Sequence, residues 1–167
     1  MKPIHAPFYD GYVALVKHLS LQKALELSLD EMKALFETIQ EDRADYRYAE
    51  NKWTIRQVLQ HITDAERVFI YRALSISRKD PTPLPGFDEN TWAGHTALSN
   101  RPLSQLMKEL ELLRQSNIMF FEALSEDELL AEGTASEKRI NVIALGYIIA
   151  GHQKHHCNIL KERYLMN

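Results

Sequence analysis

The 167-residue sequence predicts an all-α protein, a four-helix bundle, from three observations. Four stretches repeat apolar residues at steps of three and four, the spacing that lines one face of an α-helix. No stretch alternates apolar and polar residues as a half-buried strand would. The tract Asp80-Pro81-Thr82-Pro83-Leu84-Pro85-Gly86 cannot continue a helix, and it opens a long connection between the second and third periodic stretches. A crossover of that length frees the third helix from running antiparallel to the second.

Residues 1–19 carry Pro3 and Pro7 and read as an irregular segment packing on the bundle, with the bundle domain over 20–167. Ser20 is an N-cap for the first helix, whose stripe is Leu21, Leu25, Leu29, Met32, Leu35, Phe36 and Ile39. Residues 41–53 are polar and aromatic, a loop. Thr54-Ile55-Arg56-Gln57 then forms a capping box, with Trp53 and Val58 placed as a hydrophobic staple. The second helix carries Val58, His61, Ile62, Ala65, Val68, Phe69 and Ala73 along its inner face and ends near Arg78. The connection from 79 to about 101 contains Phe87, Trp92 and His95, and a connection this long is functional or a crossover. The third helix runs from about Pro102 to Leu124. A second capping box, Ser125 to Glu128, opens a short helix, and Glu132 to Ser136 closes it as a loop. Asn141 caps the last helix, which extends to about Tyr164.

Composition narrows the function classes. A net charge of −3 gives no electrostatic basis for binding nucleic acid or an anionic membrane. No apolar run approaches a membrane span, and the first residues lack the apolar centre of a signal peptide. The single cysteine, Cys157, allows no intrachain disulfide. The expectation is a cytoplasmic protein acting on a small molecule.

Two features carry chemistry. His152 and His156, in Gly151-His152-Gln153-Lys154-His155-His156, are four apart and stack on one helix face. Imidazole is the commonest neutral metal ligand, and His61 is the best third candidate. Counted from their helix ends, the three rings fall at similar depth when the second and last helices run antiparallel. Three buried imidazoles are otherwise hard to satisfy, since each has two nitrogens needing partners. Three histidines with an open fourth position suit catalysis more than structure. Duller readings stand beside this one: a lone histidine pair at this spacing is often accidental, and buried rings can bond to one another or to water. His155 is rotated away, toward a supporting position or a subunit contact. Asp64 lies on nearly the same face as His61 and reads as a fourth ligand, an imidazole-orienting group, a general base, or a solvated surface acid. Arg114 and Asn117 lie beside the core stripe of the third helix, lining a polar pocket or flanking the core. Arg114 and Arg72 are the candidate anion contacts. Glu66 and Arg67 suit ion pairs to other helices. Glu-x-x-His repeats and His-Glu-x-x-His are both absent.

Together these pieces resemble the DinB/YfiT-like superfamily of metal-binding four-helix bundles. The matching segments are Tyr46-Arg47-Tyr48-Ala49 with Lys52-Trp53-Thr54, His61 with Asp64 and Glu66-Arg67, and Thr82 to Asp88. Gly151-His152 with His155-His156 and the closing Glu162-Arg163-Tyr164-Leu165 complete them. The resemblance covers residues from about 20 onward. It implies one divalent ion, zinc or nickel, on His61, His152 and His156, and a homodimer. It also implies either transfer or isomerisation chemistry with a low-molecular-weight thiol such as bacillithiol or mycothiol, or hydrolysis. Fold alone does not choose among these, nor exclude a non-catalytic metal-stabilised bundle.

Overall fold

Four long helices build the molecule, and each begins or ends where local chemistry requires. The computed structural model describes residues 1–95 and 101–165; residues 96–100 of the expected crossover lie outside the described residues. A short helix α1 (Asp10–Ala14) precedes α2 (Leu21–Phe36), α3 (Ile55–Ser77), α4 (Glu89–His95), α5 (Leu103–Glu122), α6 (Glu126–Leu130) and α7 (Val142–Ile159). The Ser20 hydroxyl accepts the Lys23 amide at the start of α2. Thr54 and Gln57 cap α3 reciprocally, as do Ser125 and Glu128 for α6. Asn141 caps α7 by accepting from the Ala144 amide. The same carboxamide oxygen accepts from the Ile4 amide, and its nitrogen donates to the Lys2 carbonyl. The cap therefore also holds the N-terminal segment against the bundle.

The expectation that no strand occurs is corrected. Residues 132–141 form an antiparallel hairpin, β1 (Glu132–Ala135) with β2 (Lys138–Asn141). Its two turn residues, Ser136 and Glu137, both have positive φ, 50° and 62°. A two-residue hairpin needs that geometry, but Asn or Gly usually supplies it, so Ser-Glu leaves little trace in sequence. Leu84 of the crossover adds beside β1, its amide donating to the Thr134 carbonyl and its carbonyl accepting from the Ser136 amide. The crossover also contains α4, where a loop is expected. The Asp88 side chain accepts from the Thr91 amide and starts that turn. The last helix becomes a wider π-type coil at Leu160–Leu165 instead of continuing as α.

α7 packs against α2 and α3, and α5 packs against the same two helices from the other side. Two apolar cores result. One surrounds Leu25, Phe69, Phe121, Leu145 and Ile149; the other surrounds Met32, Ile62, Leu106, Leu110 and Leu160. Between them lies a polar layer to which each long helix contributes. Arg114 of α5 pairs bidentately with Glu66 of α3, through Nε to Oε1 and Nη2 to Oε2, both at 2.8 Å. Its remaining donors reach Gln153 of α7 at 2.5 Å and, in α2, the Leu25 carbonyl and Ser28 hydroxyl at 2.9 and 2.6 Å. Asn117 donates to Glu66, and Gln153 donates to the Ser28 carbonyl. Among the described residues no helix is long and apolar enough to cross a membrane.

Arg114 and Glu66 are both essentially sealed from solvent, so removing one strands the other's charge. Arg114→Met should therefore lower stability by about 3–5 kcal/mol in urea unfolding, with Glu66→Leu/Arg114→Met recovering much of the loss. An Arg114→Met protein as stable as wild type would refute this role for the layer.

Candidate metal centre

α3 and α7 bring three imidazoles to one point on the boundary between the two cores. The capping box fixes where α3 starts, which sets His61 on the face toward α7. His152 and His156, one turn apart on α7, meet it there. The Nε2 atom of His152 lies 3.0 Å from that of His61 and 3.1 Å from that of His156. Among the described residues these three are the group whose donor atoms converge closely enough to hold an ion.

The rings are kept neutral. Burial pushes His61 down from 6.5 to about 4. It pushes His152 and His156 well below their ordinary value, helped by the neighbouring imidazoles. A neutral Nε2 has either one proton or one in-plane lone pair, so His152 can be well matched to only one of its two neighbours. Adding a proton is opposed by the same burial. A cation at the meeting point would satisfy all three lone pairs, and the donor set fits a borderline divalent ion. The Nδ1 atom of His156 is buried with no partner among the described residues.

Aromatic rings enclose the cluster. Tyr12 packs edge-on to His152 at 5.3 Å between centroids, Phe69 at 5.9 Å, and Trp53 lies 4.7 Å from His61. Tyr12 reaches this position because position 151 is glycine: a Cβ there would meet the Tyr12 carbonyl oxygen at 2.1 Å. His155 packs against Tyr12 and His156, at 5.1 and 5.2 Å, and stays outside the converging group. A cavity of about 340 Å³ opens on His61 and His152, walled by Tyr9, Tyr12, Phe69 and Phe87. Arg72, Ser136, Lys138 and Glu89 supply its polar lining.

The other expected residues divide. Asp64 lines a recess beside His61, but its carboxylate accepts from Gln60 and Arg67, at 2.8 and 3.4 Å, and it is not in the converging group. Arg72 does line the cavity. Arg114 and Asn117 do not, which corrects their reading as substrate contacts: their donors are committed to the buried layer around Glu66. His95 is exposed at the end of α4 and is not in the converging group. Cys157 is buried against Met32, its thiol pushed up to about 12. Two residues were not foreseen. Glu89 acts electrostatically on both His61 and Tyr12. Tyr12 comes from a segment with no periodicity to flag it. The one local signal for Glu89 is the turn that Asp88 and Thr91 close.

Such an arrangement defines a class: helical bundles in which three imidazoles from two helices meet beside an open cavity. The chain belongs to the DinB superfamily, which it matches over residues 24–160. A protein of Oceanobacillus iheyensis named "Putative metal-dependent hydrolase OB0413" is 25% identical over 141 residues, spanning 83% of this chain and 80% of that one. A second from the same organism, similarly named, is 29% identical over 119 residues, 69% and 67% of the two chains. The solved structure of YfiT from Bacillus subtilis, described as a probable metal-dependent hydrolase with an unusual four-helix bundle topology, superposes with a TM-score of 0.73. It covers 97% of this chain and 89% of that one at 17% identity, a likeness of fold.

The depressed imidazoles set a pH dependence. In the unfolded chain they take up protons near 6.5, which folded His61 refuses until about 4. Within that window the unfolded state binds more protons, so stability falls as pH falls. The melting temperature of metal-free protein should drop between about pH 6.5 and 4, and His61→Gln should flatten part of that slope. Identical slopes in circular dichroism melts of the two proteins would contradict it.

Proposed function

We propose that this chain is a metal-dependent hydrolase of a small-molecule ester or amide, with one zinc or nickel ion held by His61, His152 and His156. The observation that carries the reading is the convergence of three neutral Nε2 atoms beside an aromatic cavity that opens on His61 and His152. The names given to the relatives support it. When bound, the ion supplies Lewis acidity that polarises a substrate oxygen and acidifies water.

The protein's own groups divide the remaining work. Tyr9, Phe69 and Phe87 exclude bulk water and hold an apolar substrate body. Tyr12 stays protonated, because burial and the nearby Glu89 carboxylate both raise its pKa, and its hydroxyl donates to a substrate oxygen. Glu89, at the mouth of the cavity beside His61, is placed to accept a proton from water entering the site. Asp64 acts at one remove, keeping the Gln60 side chain in place along the recess that leads to His61.

Elemental analysis of purified protein should find about one divalent ion per chain, lost in His61→Ala. No metal in wild type after reconstitution would remove the reading. Thiol-independent ester hydrolysis should then stop on chelation. Glu89→Gln should lower kcat about 100-fold or more with metal content unchanged. Full activity in Glu89→Gln would move the base elsewhere.

A second reading, transfer of a low-molecular-weight thiol to an electrophile, rests on the same three-histidine group, whose open position would hold a thiol as thiolate. The thiol must then come from solution, since Cys157 is buried and its thiol strongly disfavours ionising. Turnover that requires added thiol and consumes it in proportion to product would select this reading over hydrolysis.

A further inference from the structure

Two arginines are among the largest fully buried side chains, and they are treated differently. Arg114 has a carboxylate, a carboxamide, a hydroxyl and a backbone carbonyl around it. Arg72, only 2% exposed, has two neutral acceptors: Nη2 donates to the Pro85 carbonyl at 2.6 Å and to the Ser136 hydroxyl at 3.1 Å. Its Nε is buried with no acceptor, and among the described residues no carboxylate lies within ion-pair distance of the guanidinium. A buried cation without an opposite charge is costly, and neutral acceptors compensate only part of that cost. The rest is recovered if an anion from outside completes the pair.

The surroundings say where that anion sits. Arg72 lines the cavity that opens on His61 and His152, and Lys138 adds a second cation to the same wall. Among the described residues that line it, the single acidic one, Glu89, acts on His61 and Tyr12, at the histidine end. Phe69 stands between the two ends, its ring centroid 5.9 Å both from the Arg72 guanidinium carbon and from the His152 ring. The Arg72 end is also built rigidly. Ser136 and Pro85 belong to the hairpin and crossover segments that Leu84 ties together through two backbone hydrogen bonds.

We propose that Arg72, with Lys138, forms an oxyanion subsite, so that the substrate is a small organic acid. Its carboxylate or phosphate sits at Arg72, its apolar body lies along Phe69, and its reacting group faces the histidines. The assignment of the reacting end rests on the hydrolase reading; the anion subsite does not need turnover to be seen. Arg72 is a binding residue here, and its two present bonds position it.

The test is binding by calorimetry to the metal-loaded protein, using 3-phenylpropionate, phenyl phosphate and the neutral 3-phenylpropionamide. At least one anion should bind tenfold or more tightly than the amide, and which anion does so identifies the preferred group. Arg72→Gln should abolish the preference, Arg72→Lys should keep part of it, and His152→Ala should leave it in place while ending hydrolysis. In wild type the Arg72 Nε–H resonance should shift with the anion and not with the amide, a readout that needs no variant to fold. Equal binding of anion and amide, no binding of any probe at millimolar concentration, or a preference undiminished in Arg72→Gln would overturn the proposal. A preference that follows Arg72 without any hydrolysis would leave the subsite standing and remove the hydrolase reading instead.

Discussion

The bidentate pair between Glu66 and Arg114 is the interaction on which the rest of the arrangement depends. Apolar stripes alone specify which face of a helix turns inward, but they tolerate sliding and rotation by amounts that would separate three imidazoles. A buried carboxylate and guanidinium tolerate neither, because losing one hydrogen bond in that setting costs far more than losing it at the surface. Arg114 reaches α2, α3 and α7 at once, so one side chain sets the relative heights of all four long helices. Gln153 is next to His152 in the chain, and Glu66 lies five residues beyond His61. The layer that fixes the bundle is thus within about a turn of the histidines it aligns.

Position follows from that layer. Both apolar cores stop short of residues 151–156, leaving a polar band across α7. The inner side of the band faces Arg114 and is fully bonded. Its other side faces α3 and α1, where three neutral imidazoles meet and the Nε2 of His152 can be matched to only one of its two neighbours. The first is a closed network that stabilises; the second is an open one that demands a ligand. The same contrast separates the two buried arginines, one compensated within the chain and one not.

What was legible in the sequence was local. Ser20, Thr54, Ser125 and Asn141 cap helices through bonds that span three residues, and such bonds leave a pattern in adjacent letters. The pairing of His152 with His156 is one helical turn and equally visible. The hairpin was not, because Ser136 and Glu137 adopt positive φ without the glycine or asparagine that would announce it. Arg114 and Asn117 are ambiguous in the sequence for a different reason: a polar residue beside an apolar stripe looks the same whether it faces a pocket or a buried carboxylate on another helix. Glu89 and Tyr12 join the site through contacts across long stretches of chain that no periodicity encodes.

Tyr12 shows how far the site extends beyond the bundle. The four long helices would leave His152 open on the side where α1 lies, and Gly151 is what permits that segment to approach. A backbone carbonyl packed where a side chain would stand brings the Tyr12 ring onto the imidazole. Asn141 holds the segment at its other end through the Lys2 and Ile4 backbone. The first turns of the chain therefore form one wall of the cavity, and the crossover with its hairpin forms another. Residues of these segments, together with Phe69 and Arg72 of α3, decide which molecules reach the histidines. Proteins that share this bundle and its three histidines can accordingly differ in chemistry, because much of the cavity wall is built from segments whose sequence is least constrained by the helical core.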